Sequence, residues 1–159
     1  MHIQVLMAGS ISEPFLRRGA AEYARRLSRY CRVEVVSVRD EPVAAAMSAA
    51  DLDAARRREA ERLRARLGPG AFVVALDGAG QEVTSEELAV WLGARIASGV
   101  NRVAFLVGGT TGLHQSLKDA ADLVLSLSRL TLPHQMVPLV LLEQLYRAFR
   151  ILRREPYHW

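Results

Sequence analysis

The chain has 159 residues, the length of one ordinary domain, so a single domain over 1–159 is expected. Half of its residues are hydrophobic and 24% are charged, which excludes disordered, collagen-like and disulfide-scaffold classes. The net charge of +4 and a sequence pI near 9.8 suit a polyanionic partner.

Ile3–Met7 reads as a first strand, rich in apolar residues. Ser12 is placed to cap a helix that has Glu13 and Pro14 in its first turn. Phe15, Leu16, Ala20, Tyr23, Leu27 and Tyr30 then recur at helical spacing, with five arginines on the opposite face. Cys31 is the only cysteine, which allows no internal disulfide and reads as a small buried hydrophobe in a reducing, cytoplasmic protein. Val33–Val38 is a second strand by its β-branched content.

After an Ala-rich loop around Pro42, a highly charged helix is expected from about Ser48 to Leu67, with one face solvated. Gly68-Pro69-Gly70 stops it, and Phe72–Leu76 is a short apolar strand ended by a turn at Asp77-Gly78-Ala79-Gly80. Thr84 or Ser85 caps a further helix that runs to about Ser98-Gly99, and Val103–Val107 is another apolar strand. The glycine loop Gly108–Gly112 follows. A helix near Gln115–Ala121, a strand near Leu123–Leu127, a loop to His134 and a long helix headed by Pro133 complete the chain.

This alternation predicts an α/β protein with a mostly parallel sheet covered by helices on both faces. In such sheets ligands bind beyond the carboxyl ends of strands, which singles out the loops after Leu76, Val107 and Leu127. The glycine loop has neither dinucleotide-fingerprint spacing nor a Walker lysine, so conventional NAD and ATP sites are not expected. No His, Cys, Asp or Glu spacing suggests a metal, and no Gly-x-Ser-x-Gly elbow suggests a hydrolase. Leu127 to His134 concentrates hydroxyls, an arginine and a histidine, with Thr131 equally readable as a helix cap.

On the last helix Val137, Leu141, Leu145, Phe149 and Leu152 share one face, and Glu143, Arg147, Arg150 and Arg154 another. Glu143 and Arg147 are spaced for a helical ion pair, while the arginines together offer a phosphate-binding surface. Pro156 ends the helix and releases Tyr157-His158-Trp159, a composition suited to stacking on a base or docking on a partner. Lys118 is the sole lysine among 21 basic residues; base and phosphate recognition or GC-rich codon usage accounts for the other 20 being arginine. No run reaches the roughly 18 apolar residues of a membrane span, and the start lacks the basic region of a signal peptide.

Several segments in order carry a family resemblance: Leu76-Asp77, Thr84 to Ala89, Phe105 to Gly109 with Gly112-Leu113, Leu127 to His134, Leu142 to Ala148, and Pro156-Tyr157-His158. Together they resemble the bacterial ribosomal large-subunit RNA pseudouridine N3-methyltransferases, minimal members of the trefoil-knot (SPOUT) class. The resemblance covers essentially the whole chain and is strongest from Phe72 onward. It implies a C-terminal trefoil knot, S-adenosylmethionine as cofactor, a homodimer, and the large ribosomal subunit or ribosome as substrate and partner. Carried over, the cofactor contacts are Leu76, Gly108, Leu127, Ser128, Arg129, Leu130, Thr131 and Leu132, and the catalytic residues are Arg147, Tyr157 and His158. Tyr157 and His158 are expected to act on the neighbouring subunit's site. Gln81, Thr110-Thr111, Pro138 and Trp159 depart from the usual family pattern. A knotted methyltransferase of transfer RNA and a non-catalytic ribosome-binding factor are the rival readings.

Overall fold

The computed structural model describes residues 1–157. Ten elements alternate along them: β1 (His2–Ala8), α1 (Pro14–Leu27), β2 (Arg32–Val38), α2 (Ala49–Arg64), β3 (Phe72–Glu82), α3 (Ser85–Ala97), β4 (Arg102–Val107), α4 (Gln115–Asp119), β5 (Leu123–Ser126) and α5 (Val137–Leu152). The strands form one sheet in the order β2-β1-β4-β3-β5, with every pairing parallel. This is the architecture expected of the alternating pattern.

Strand pleating sorts the apolar residues onto two faces. Ile3, Val5, Met7, Val74, Val103, Phe105 and Val107 meet α1, α3 and α5 in the larger core. Leu6, Ala8, Ala75, Ala104 and Leu106 point the other way, against Ala60 and Leu63 of α2 and Leu117 of α4. The central strands are buried on both faces, which is why they read as continuous apolar runs. Cys31 is buried in the larger core, where burial pushes its thiol up to about 12. Among the described residues no helix is long and apolar enough to cross a membrane.

Helix starts differ from the sequence pattern where long-range contacts capture the capping group. Thr84 caps α3 in a capping box with Glu87, and Ser48 does the same for α2 with Asp51. Ser12, in contrast, caps nothing. Its N–H and hydroxyl both donate to Gln135 Oε1, at 2.8 and 3.0 Å, and Pro14 opens α1 without a side-chain cap. The last helix is headed not by Pro133 but by Val137, with Pro138 in its first turn, where its missing N–H costs no helical bond. Thr131 is therefore no cap. The helix also ends before Arg154, which has a positive φ of 53°.

The expected turn at Asp77–Gly80 proves to be a bulge inside a longer strand. Leu125 of β5 is partnered by Leu76 and again by Gln81, so the intervening residues of β3 leave the ladder and return to it. Gly80 is what permits the return. A Cβ there would lie 2.7 Å from the Leu125 carbonyl carbon and 2.8 Å from the Leu125 nitrogen, whereas a Cβ at Gly78 would meet nothing within 4 Å.

That contrast gives a paired test. Gly80→Ala is expected to destabilise the protein by about 1–3 kcal/mol, and Gly78→Ala to change stability by no more than about 0.5 kcal/mol. Denaturant midpoints measure both. Equal midpoints would show that the β3–β5 approach is not this close.

Candidate active site

Three strand ends converge on a cleft of about 700 Å³. Leu76, Asp77 and Gly78 come from the β3 bulge, Val107 to Thr110 and Gly112 from the loop after β4, and Ser126 to His134 from the loop after β5. Val137, at the head of α5, closes one side. All eight residues expected to touch a cofactor line this cleft: Leu76, Gly108, Leu127, Ser128, Arg129, Leu130, Thr131 and Leu132.

The glycine loop folds tightly on itself. A Cβ at Gly108 would lie 2.3 Å from the Gly112 carbonyl carbon and 2.5 Å from the Leu113 nitrogen, so no side chain fits. Gly112 adopts a φ of +81°, and its N–H donates to Gly109 O at 3.1 Å. The loop after β5 is pinned by its own hydroxyls. The Ser126 hydroxyl donates to Ser128 O at 3.0 Å, and the Leu130 N–H to Ser128 Oγ at 2.9 Å. The Gln135 contacts with Ser12 and Glu13 then moor this loop to the start of α1. Leu130 is left 77% exposed at the rim. Arg129 reaches Glu82 at 3.5 Å, an exposed pair of little energetic weight.

Asp77 was not among the expected contacts, although it directly follows Leu76 at the strand end. Burial works against its charge, but the Ala79 N–H at 2.9 Å and Lys118 at 3.0 Å hold its carboxyl below the usual range. The result is a fixed carboxylate in the wall of the cleft.

Arg147 and Tyr157 lie outside the cleft wall, on a separate face built by α1 and α5. The Tyr157 hydroxyl stands 3.3 Å from Tyr23 Oη and 3.2 Å from Glu143 Oε1, and its ring meets Tyr146 edge-on. Arg147 forms the anticipated helical pair with Glu143, at 2.6 Å, and its guanidinium covers the Tyr157 ring at 4.9 Å. Arg150 pairs with Glu155 at 2.8 Å and donates to Tyr146 Oη. Burial, the Tyr23 hydrogen bond and the Glu143 charge push the Tyr157 phenol above its ordinary value, so it stays neutral. The structure thus separates the cofactor candidates from two of the catalytic ones. His158, the third, lies outside the described residues.

Beneath the glycine loop lies a residue the charge pattern of α2 did not reveal. Glu59 is only 5% exposed, and its Oε1 accepts the Glu41 N–H at 2.9 Å. Charge runs on helices normally face solvent, but Glu59 belongs to the inward face with Ala55, Ala60 and Leu63.

A family model described as "Predicted SPOUT methyltransferase" matches residues 1–158. The chain belongs to this family. Among its curated relatives are proteins named "Ribosomal RNA large subunit methyltransferase H". That of Acetivibrio thermocellus is 44% identical over 158 residues, and that of Pelotomaculum thermopropionicum is 46% identical over 158 residues; each match covers 99% of both chains. The Symbiobacterium thermophilum protein of the same name is 46% identical over 160 residues, with the same coverage. The fold is also that of a solved structure, a probable methylase family protein from Haemophilus influenzae. That likeness has a TM-score of 0.54 at 12% identity and covers 99% of this chain and 70% of the other.

Burial of Glu59 makes stability pH-dependent. Desolvation, joined by the Asp40 and Glu41 charges, raises its carboxyl above 4.5 despite the Glu41 N–H. A folded pKa above the unfolded one gives stability that is full below the unfolded value and lost as pH rises through the folded value. Glu59→Gln does not titrate. Its melting temperature relative to the wild type is expected to rise as pH climbs from about 4.5 through the range in which the folded carboxyl ionises, and to level off above it. A difference that is flat over this range would contradict the assignment.

Proposed function

We propose that this chain transfers a methyl group from S-adenosylmethionine to N3 of a pseudouridine in large-subunit ribosomal RNA, acting in the cytoplasm on the assembled subunit or ribosome. Full-length identity to proteins named for large-subunit ribosomal RNA methylation carries the reading. The cleft supports it, because one strand-end cavity gathers every residue that the family pattern assigns to the cofactor.

The residues present fit a nucleoside-bearing cofactor. A volume near 700 Å³ falls in the range of roughly 300–1,000 Å³ usual for small-molecule sites. Leu76, Leu127, Leu130 and Leu132 offer apolar walls for a base, and Ser128 and Thr131 offer hydroxyls. At Gly108 the absent side chain lets backbone groups form the wall. When bound, S-adenosylmethionine supplies a methyl group already activated by its sulfonium. The chain's remaining work is to orient the base and remove the N3 proton. A neutral His158 is suited to accept that proton near physiological pH. Arg147 and Tyr157 would position the base or its phosphate, their own charge states being fixed by Glu143 and by burial.

Because Arg147 and Tyr157 stand apart from the cleft, a second copy of the chain is the simplest means of joining the two halves of the site. We therefore place the protein as a homodimer in which each tail serves the partner's cleft. The C-terminal trefoil knot belongs to the same reading. It agrees with a chain that leaves the sheet edge at β5 and returns through α5 to pack against both α1 and α3.

Methyl-labelled S-adenosylmethionine is expected to label assembled large subunits and to leave transfer RNA unlabelled; labelling of transfer RNA alone, or of neither, would overturn the reading. Deleting 157–159 should abolish transfer while dimer mass and cofactor affinity are kept. His158→Ala should cost roughly 100-fold or more in rate if it is the base. Mixing it with a cleft-defective variant should restore partial activity in heterodimers, and no recovery would mean that each tail serves its own subunit.

A further inference from the structure

Glu59 carries a feature that packing alone does not explain. Its Oε2 is buried and has no hydrogen-bond partner, although the other carboxylate oxygen is held by the Glu41 N–H. Orphaned buried polar atoms are uncommon enough to require a reason. This one lies directly under the glycine loop. A Cβ at Gly109 would meet Glu59 Oε1 at 3.0 Å and Oε2 at 3.1 Å, so the carboxyl group lies beside that residue, in the space a side chain there would need. The opposite side of the same loop, through Gly108, Gly109 and Thr110, forms the cleft wall.

The glycine loop is thus a thin partition with the cleft on one side and a carboxyl group on the other. Its only described internal brace at this point is the Gly109–Gly112 bridge. Charge is also arranged around the carboxyl group. Asp40 and Glu41, after β2, face Glu59 and repel its ionised form, while Arg62 on its own helix attracts it. Arg58 and Arg62 are themselves paired with Glu41.

We propose that Glu59 is a positioning residue for the glycine loop: when S-adenosylmethionine fills the cleft, Oε2 accepts a backbone N–H of the Gly109–Thr111 turn and fixes the wall in its binding shape. The proposal rests on the cofactor reading given above. It has a thermodynamic corollary, since an acceptor must be unprotonated. Cofactor binding therefore favours the ionised carboxyl, and ionisation in turn favours cofactor binding by the same factor. The carboxyl group acts on the cofactor only through the loop.

Calorimetric titration of the full-length protein with S-adenosylmethionine across pH tests this. Wild-type affinity is expected to rise about ten-fold between about pH 5.5 and pH 8. Glu59→Gln keeps the volume and the Oε1 bond to Glu41 but places an amide NH2 where the acceptor stood. Its affinity should lack that rise and be about ten-fold weaker at the upper end. His134 also lines the cleft in both proteins, so the difference between the two profiles is the quantity that reports on Glu59. Asp40→Asn provides a second arm that leaves Glu59 in place. Removing this like charge should move the rise to lower pH without abolishing it. Coincident wild-type and Glu59→Gln profiles, or an unmoved Asp40→Asn profile, would overturn the proposal while leaving the cofactor reading intact. Failure of the wild type to bind at any pH would overturn both.

Discussion

The cleft depends on backbone packing directly against backbone. At Gly80 the returning half of β3 lies against Val124 and Leu125, and at Gly108 the start of the loop lies against Gly112 and Leu113. A single Cβ at either place would overlap main-chain atoms, which cannot move aside as a flexible side chain can. Close packing of this kind transmits displacement rather than absorbing it. It brings the ends of β3, β4 and β5 together tightly enough for their loops to enclose one cavity. It also means that any side chain at Gly108 would deform the loop itself.

Around this rigid centre the chemistry divides by location. The cleft offers apolar walls, hydroxyls and one carboxylate fixed by Lys118. The α1–α5 face offers a cluster of tyrosines with arginines over their rings, Arg147 and Arg150 among them paired with Glu143 and Glu155. Tyr157 is held by a hydroxyl, a carboxylate and three ring contacts, which is more than a frayed terminus usually retains. The proposed dimer would bring these two sets of groups together.

Much of the fold was legible because local and global preferences agree. The apolar strands, the cap at Thr84, the helix start near Ser48 and the glycine loop after β4 all follow from patterns within a few residues. The eight cofactor candidates came from strand-end logic together with family resemblance, and they do share one cleft. What was not legible depends on residues far apart in the chain. Ser12 is an ideal cap by type, yet Gln135 captures its hydroxyl. Asp77–Gly80 has the composition of a turn, and only the second pairing with Leu125 shows that the strand resumes. Glu59 sits in a run of charges whose helical phase places it inward, beside a loop contributed by β4. No local signal separates Tyr157 from the cleft, because that separation is a property of the sheet order and of where α5 returns.

The central claim is that the cavity at the ends of β3, β4 and β5 holds S-adenosylmethionine. The most direct test is to map amide chemical-shift changes by nuclear magnetic resonance as S-adenosylmethionine is added to the full-length protein. The account predicts that the largest changes fall on Leu76–Gly78, Gly108–Gly112 and Leu127–Leu132. The groove between α1 and β2, lined by Ile11, Arg17 and Val35, should be unaffected. Changes concentrated in that groove, with the three strand-end loops silent, would contradict it.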